Sequence, residues 1–231
     1  MLEASTAMKR AARHAQRAAS GEDARLEGTV RLSVTSSFVE AFLLAHLARF
    51  KREHPGILVE LKTSDTLVDL APGDVDIAMR FRPTGVSPEA GTRQGSVLGQ
   101  TVGMIAIAVY AGRSYLASRG TPTRADRLAG HDVIVPTDAG HYMPGGACFA
   151  TARERGNVVL QTEDMQSMGA AAGAGFGLCA LPSFMALRNP ELVRISPPKM
   201  VDSRDMWLMC PEDLRRVTRV RALRDFLSKF S

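Results

Sequence analysis

Residues 29–81 read T-V-R-L-S-V-T-S-S-F-V-E-A-F-L-L-A-H-L-A-R-F-K-R-E-H-P-G-I-L-V-E-L-K-T-S-D-T-L-V-D-L-A-P-G-D-V-D-I-A-M-R-F, and their alternation decides the fold class. T-V-R-L-S-V-T alternates apolar and polar residues as a strand does. From Phe38 to Arg52, the residues Val39, Leu43, Leu47 and Phe50 form one stripe of an amphipathic helix, which stops at H-P-G. I-L-V-E-L-K is a second strand, ending in Thr63, Ser64 and Asp65. T-L-V-D-L is a brief helix, and P-G-D-V-D-I-A-M-R-F is a third strand closed by Arg80. This β-α-β-α-β order predicts a parallel sheet covered by helices. Ligands of such sheets bind outside the carboxyl ends of the strands. Those ends are Thr35, Ser36 and Ser37, then Thr63, Ser64 and Asp65, then Arg80. All three carry hydroxyls or charge, and that convergence is the main sign of a site. Arg80 is balanced between a charge for a ligand and an interface ion pair. Turn and cap roles account for Asp74 and Asp76.

A second informative stretch is Thr162–Pro182, T-E-D-M-Q-S-M-G-A-A-A-G-A-G-F-G-L-C-A-L-P. Thr162 and Asp164 are acceptors for free backbone N–H groups at a helix start, and Glu163 suits the positive end of the helix dipole. The helix that follows is built from small residues, which lets a strand or helix approach closely. Gly173, Gly175 and Gly177 close it. A short apolar strand, L-C-A-L, then stops at Pro182. The helix N-terminus is a natural seat for an anionic or polar ligand. A dinucleotide fingerprint is the weaker reading, because the glycines close the helix instead of opening it. Of Met165 and Met168, near this turn, at least one is expected to pack in the core.

The remaining segments continue the pattern. A long apolar stretch runs from Val97 to Tyr110, and residues 111–130 hold two short helices. H-D-V-I-V-P is a strand ending at Thr137 and Asp138, A-G-H-Y-M-P-G-G-A-C reads as a glycine-rich loop, and N-V-V-L-Q is the strand before Thr162. L-V-R-I and D-M-W-L-M-C are further strands, the latter holding the single tryptophan, Trp207. Residues 3–19 are rich in helix formers with few large apolar side chains, so this helix is expected to pair with something. Ser20 and Gly21 end it, and G-E-D-A-R-L-E-G is hinge-like.

Composition narrows the function classes. The chain has 231 residues with 45% hydrophobic and 23% charged content, ordinary for a globular protein. No run approaches the length of a membrane span, and the N-terminus lacks the apolar core of a secretory signal. The three cysteines, Cys148, Cys179 and Cys210, are widely separated, which reads as reduced thiols in a cytoplasmic protein. Six basic residues against Asp225 give residues 214–231 a net charge of +5, equal to that of the whole chain. The body is therefore close to neutral and is no broad nucleic-acid surface. Leu214, Val217, Val220, Leu223, Leu227 and Phe230 recur at helical spacing in that segment. Its simpler reading is a helix with one packed face and one solvated face. HExxH, G-x-S-x-G and P-loop motifs are absent from the sequence, so no enzyme is expected. The spacing of His131, Asp138, His141 and Cys148 matches no tight metal-ligand motif, and neither a metal nor a cofactor is expected.

The order of these pieces resembles the effector-binding domain of LysR-type transcriptional regulators. The matching stretches are L-E-G-T-V-R-L-S-V-T-S-S-F, F-K-R-E-H-P-G-I-L-V-E-L, G-D-V-D-I-A-M-R, S-Y-L-A-S-R-G, A-A-A-G-A-G-F-G-L-C-A-L-P and R-V-R-A-L-R-D-F-L, spanning about residues 26–231. The resemblance implies an α/β, periplasmic-binding-protein-like (type II) fold of two lobes. Residues 1–27 would be the end of a dimerising linker helix and its hinge. Residues 28–102 plus 206–231 would be lobe I, and residues 103–205 lobe II. A small polar or anionic effector would sit in the cleft between them. It would be held by Thr35, Ser36, Ser37, Thr63, Ser64 and Arg80 from lobe I, and by Thr137, Glu163, Asp164 and Met165 from lobe II. The family implies a homodimer or homotetramer. DNA would be contacted through a winged helix-turn-helix expected ahead of this chain and not found within it. A stand-alone solute-binding protein of the same fold is the alternative.

Overall fold

The computed structural model describes residues 24–63, 75–86, 97–122, 128, 130–137, 146–195 and 202–229. These divide into two compact units. One comprises the chain up to Gly103 and from Asp205 onward; the other is Met104–Arg204.

The first unit opens with β1 (Gly28–Val34), whose Val30, Leu32, Ser33 and Val34 are all buried. Burial on both faces is what an interior parallel strand requires. Helix α1 follows in three continuous parts, Ser36–Phe38, Val39–Leu43 and Leu44–Glu53. It starts at Ser36, two residues before the sequence expectation. Its middle part is a π-helical turn in which the Leu44 amide reaches back to the Val39 carbonyl. The rings of Phe38, Phe42 and His46 stack along it, with centroids 5.1 and 4.3 Å apart. Strand β2 (Ile57–Thr63) runs parallel to β1, with Val34 opposite Thr63. Strand β3 (Ile77–Pro83) lies parallel on the other side, with Leu32 opposite Ile77. It continues three residues past Arg80, so Arg80 does not close the strand. The expected brief helix at 66–70 lies outside the described residues.

Two strands pass through both units: β4 (Val97–Gly112) leads out of the first, and β9 (Asp202–Pro211) leads back. The sheet order in the first unit is β2-β1-β3-β9-β4. A 3-10 turn (Glu212–Leu214) and helix α6 (Thr218–Leu227) end the unit, burying Val220, Leu223, Phe226 and Leu227. Phe226 packs edge-on against Phe50 of α1 at 5.1 Å. Trp207 on β9 packs against Val75, Ala78 and Met209.

The second unit contains α2 (Arg113–Arg119), β5 (Asp132–Pro136), α3 (Gly146–Arg155), β6 (Asn157–Thr162), α4 (Met165–Gly173), β7 (Leu178–Pro182), α5 (Ser183–Ala186) and β8 (Leu192–Arg194). Its strand order is β4-β7-β5-β6, with β8 also on β4. Helix α3 corrects the loop expected up to Cys148: the chain is helical from Gly146 and buries Phe149 and Ala152. The second of the two helices expected in 111–130 falls largely outside the described residues. The small residues of α4 do permit a close approach. A Cβ placed on Gly112 of β4 would come within 2.4 Å of the Ala172 carbonyl oxygen and 2.9 Å of that of Gly173. Of the closing glycines, Gly175 takes the left-handed conformation, at φ +89°. Met168 is fully buried and Met165 is half-buried. Cys179 and Cys210 are buried free thiols. No helix among the described residues is long and apolar enough to cross a membrane.

Candidate functional site

In the first unit, the parallel register brings the carboxyl ends of β1 and β2 side by side. Thr35 follows directly after the Val34–Thr63 pair. Thr35 is extended (φ −68°, ψ 140°) and stands at the N-cap of α1, where its side chain makes no capping hydrogen bond. Its carbonyl accepts the Val39 amide at 3.2 Å. The Thr35 Oγ1 atom is buried and has no hydrogen-bond partner among the described residues. Ser36 and Ser37 are the first two residues of α1, half-buried, and Thr63 is exposed at the end of β2. Ser64 lies outside the described residues.

Arg80 sits beneath these ends and is only 3% exposed. Its guanidinium donates to Ser33 Oγ at 2.7 Å, to the Ser33 carbonyl at 3.0 Å and to the Met79 carbonyl at 2.9 Å. These bonds go to neutral groups of β1 and β3. A buried cation lies under the strand that ends in Thr35, and Ser33 helps to hold it. Ser33 was missed by sequence reasoning. The available signal was a hydroxyl at an inward position of an otherwise apolar strand, V-R-L-S-V.

In the second unit, β5 and β6 end together: Pro136 pairs with Thr162, and the Thr137 amide donates to the Thr162 carbonyl at 3.2 Å. Thr137 therefore lies beside the turn that holds Glu163, Asp164 and Met165. Thr137 Oγ1, like Thr35 Oγ1, is buried without a hydrogen-bond partner among the described residues. Both expected caps form. Thr162 Oγ1 accepts the Asp164 amide at 3.2 Å, and the Asp164 carboxylate accepts the Gln166 and Ser167 amides at 3.2 and 2.7 Å. Ser167 Oγ adds a further donor at 2.6 Å. Partial burial pushes the Asp164 carboxyl up, but the hydrogen bonds from Ser167 and Gln166 outweigh it and hold it below the usual carboxylate range. The N-terminus of α4 is thus filled by the chain's own anion, which corrects the expectation of a free seat there. The missed partner, Ser167, stands three residues after the cap, where a side chain reaches back toward it. Glu163 is exposed.

Asp138 and His141 lie outside the described residues. His131 instead meets the Tyr115 hydroxyl at 3.3 Å, and that hydroxyl accepts the Asp132 amide at 2.8 Å. Burial raises the Tyr115 phenol, while Asn157 and then Arg119 hold the Asp132 carboxyl low. This cluster stands at the amino end of β5, the end opposite Thr137.

The LysR substrate-binding-domain family model matches residues 23–231. The chain is 25% identical over 210 residues to the HTH-type transcriptional regulator YhjC of Escherichia coli K12, covering 88% of this chain and 68% of that protein. It covers 59% of an HTH-type transcriptional regulator of Haemophilus influenzae at 26% identity. Among solved structures, full-length AphB, a virulence activator of Vibrio cholerae, superposes with a TM-score of 0.67 at 20% identity, over 87% of this chain and 68% of that one. The regulatory domain of CrgA from Neisseria meningitidis gives 0.68 at 18% identity, over 88% and 98%. At these identities the structural likeness establishes the fold, that of LysR-type regulatory domains and type II periplasmic-binding proteins, while the family match covers nearly the whole chain. The chain belongs to the LysR substrate-binding-domain family.

Proposed function

We propose that this chain is the effector-sensing part of a LysR-type transcriptional regulator, and that a small polar or anionic molecule held by both units is its signal. The observation that carries this reading is the pair Thr35 Oγ1 and Thr137 Oγ1. Each is a buried hydroxyl without a hydrogen-bond partner among the described residues, and each stands at the carboxyl end of a parallel strand of its unit. An unmade hydrogen bond at a buried hydroxyl costs about 1–3 kcal/mol. A ligand acceptor or donor, or an ordered water that a ligand displaces, would recover it. Strand ends of this kind are where open α/β sheets take their ligands.

The two units offer different chemistry. At Thr35 the N-terminus of α1 has no side-chain cap, and the buried Arg80 adds positive charge beneath it. This favours the anionic end of a ligand. At Thr137 the neighbouring Asp164 carboxylate favours a donor. Ser36, Ser37, Thr63 and Met165 complete the proposed contact set, with the exposed Glu163 at its margin. Ligand binding would shift the balance between conformations by no more than its differential affinity for them. The relatives are named as HTH-type regulators. Reading of DNA by a winged helix-turn-helix, pairing of subunits into homodimers or homotetramers, and a cytoplasmic location belong to the same proposal. Its test is a thermal-shift screen of small carboxylates, amino acids and neutral polyols. A hit whose affinity falls on Ser36→Ala combined with Thr137→Ala supports the reading. A hit indifferent to both substitutions moves the site elsewhere.

A further inference from the structure

The exposed arginines around α6 have no role in the effector reading. Arg215 and Arg216 precede the helix and Arg221 lies within it. All three are exposed, and none of their side chains has an ion-pair or hydrogen-bond partner among the described residues. The C-terminal turn of α1 adjoins this surface. Phe50 packs on Phe226, and the Arg49 guanidinium lies 5.7 Å from the Phe226 ring centroid. That turn adds Lys51 and Arg52, both exposed and likewise without partners among the described residues. Glu53 is occupied by Arg49 at 2.7 Å and Asp225 by Arg224 at 2.9 Å; Glu212 and Asp213 in the turn before α6 offset part of the positive charge.

We propose that this surface, formed by α6, the turn before it and the end of α1, docks on the phosphate backbone of duplex DNA. Charge complementarity is the first argument. Like charges gathered against their own repulsion on a near-neutral body suit a polyanion. The side-chain type is the second. Three of the exposed cations of the α6 segment, Arg215, Arg216 and Arg221, are arginines, whose planar forks match phosphate oxygens. The absence of an apolar outer face on α6 is the third. Val220, Leu223, Phe226 and Leu227 are all buried, so the helix has nothing to insert into a lipid surface, as a membrane-binding amphipathic helix must. A backbone contact of this kind positions a protein on DNA without reading sequence. It would add to whatever base-reading module the regulator uses, and it does not depend on the effector reading.

The test is fluorescence anisotropy of a labelled random-sequence duplex with the 231-residue chain, without effector, across a KCl series. The expected result is weak binding whose log–log salt slope is about −3 to −5, one phosphate for each of the three arginines and up to two more for Lys51 and Arg52. Arg215→Glu, Arg216→Glu and Arg221→Glu together should lower affinity more than tenfold at low salt. The corresponding glutamine triple, which adds no carboxylates, should do the same and serves if the glutamates disturb folding. Arg155→Glu, Arg188→Glu and Arg194→Glu, three exposed residues of the other unit, change net charge equally and should leave most of the affinity. Equal loss in both sets would reduce the effect to net charge and overturn the proposal. So would failure of the unaltered chain to bind duplex at low salt, or binding to phosphatidylserine vesicles in place of duplex.

Discussion

The Asp164 carboxylate is held by Ser167 through both the amide, at 2.7 Å, and the hydroxyl, at 2.6 Å. Asp164→Ala should cost about 1 kcal/mol of stability at neutral pH, the usual value of an N-cap. The folded carboxyl titrates below its ordinary value. The charged cap therefore contributes fully above the unfolded pKa of about 4 and loses its contribution as pH falls through the lower folded value. Urea melts should show the variant and the parent diverging at pH 7 and converging in acid. A constant gap across that range would show that the charge contributes nothing.

Thr35→Val keeps the shape of the side chain and deletes a hydroxyl that makes no hydrogen bond within the described protein. Without ligand, the variant should be as stable as the parent or up to about 1 kcal/mol more stable. Its affinity for an effector found by screening should fall about tenfold, the value of one good hydrogen bond at a buried group. A destabilised ligand-free variant would mean that the hydroxyl already has a partner.

Gly112→Ala should be among the most damaging single-methyl additions in the second unit. The new Cβ would meet the backbone oxygens of Ala172 and Gly173, which no side-chain rotation relieves. A loss of about 1–3 kcal/mol is expected from overpacking. Gly85→Ala is the control. It has open space around it, and only its positive φ, +84°, opposes the change, at a cost of about 1 kcal/mol. Chemical denaturation of the two variants side by side tests the ranking.

Asp76 and Arg31 pair in both directions: the Arg31 amide donates to the Asp76 carboxylate at 2.8 Å, and the Asp76 amide donates to the Arg31 carbonyl at 2.9 Å. Asp76 is buried. Asp76→Ala should cost about 1–3 kcal/mol, because the Arg31 amide loses its acceptor. Asp76→Asn, which keeps an acceptor oxygen, should cost less. Equal losses would assign the effect to the charge.

Burial pushes the Cys210 thiol up to about 12. The thiolate is the reactive form, so alkylation of Cys210 in the native protein should stay negligible from about pH 7 to 9 and appear on unfolding. Mass spectrometry of iodoacetamide-treated protein reads this directly.

The strands were legible because each carries an alternating or continuous apolar run between turn residues, and the cap at Asp164 because its residue types are specific. Helix α3 was not, because Pro144 and Gly145 mark a break just ahead of it, Gly146 opens it, and its own apolar stripe is short. The helical start at Ser36 was missed for a related reason: hydroxyl residues favour turns and helix starts alike. Arg80 shows the limit for the site. Sequence places a cation near the strand ends, but only the packing shows that its guanidinium turns inward to Ser33. In α6 the burial includes Phe226, a position left out of the expected stripe, whereas Phe230 falls outside the described residues. A stripe read across a helix end misses what lies beside it.

Arg219 reaches from α6 to the Thr29 carbonyl of β1, across 190 positions of sequence, at 3.4 Å. On the ribosome, Met104–Arg204 is made, and leaves the exit tunnel, ahead of the segment from Asp205 onward. The inserted unit can therefore collapse while the first unit still lacks its closing strand and helix. Val30, Leu32 and Ile77 must wait for Leu208, Leu223 and Leu227 to complete the core. A chain cut after Arg204 would present the inserted unit together with a first unit whose apolar sheet is open, the form in which chaperones and proteases would meet it.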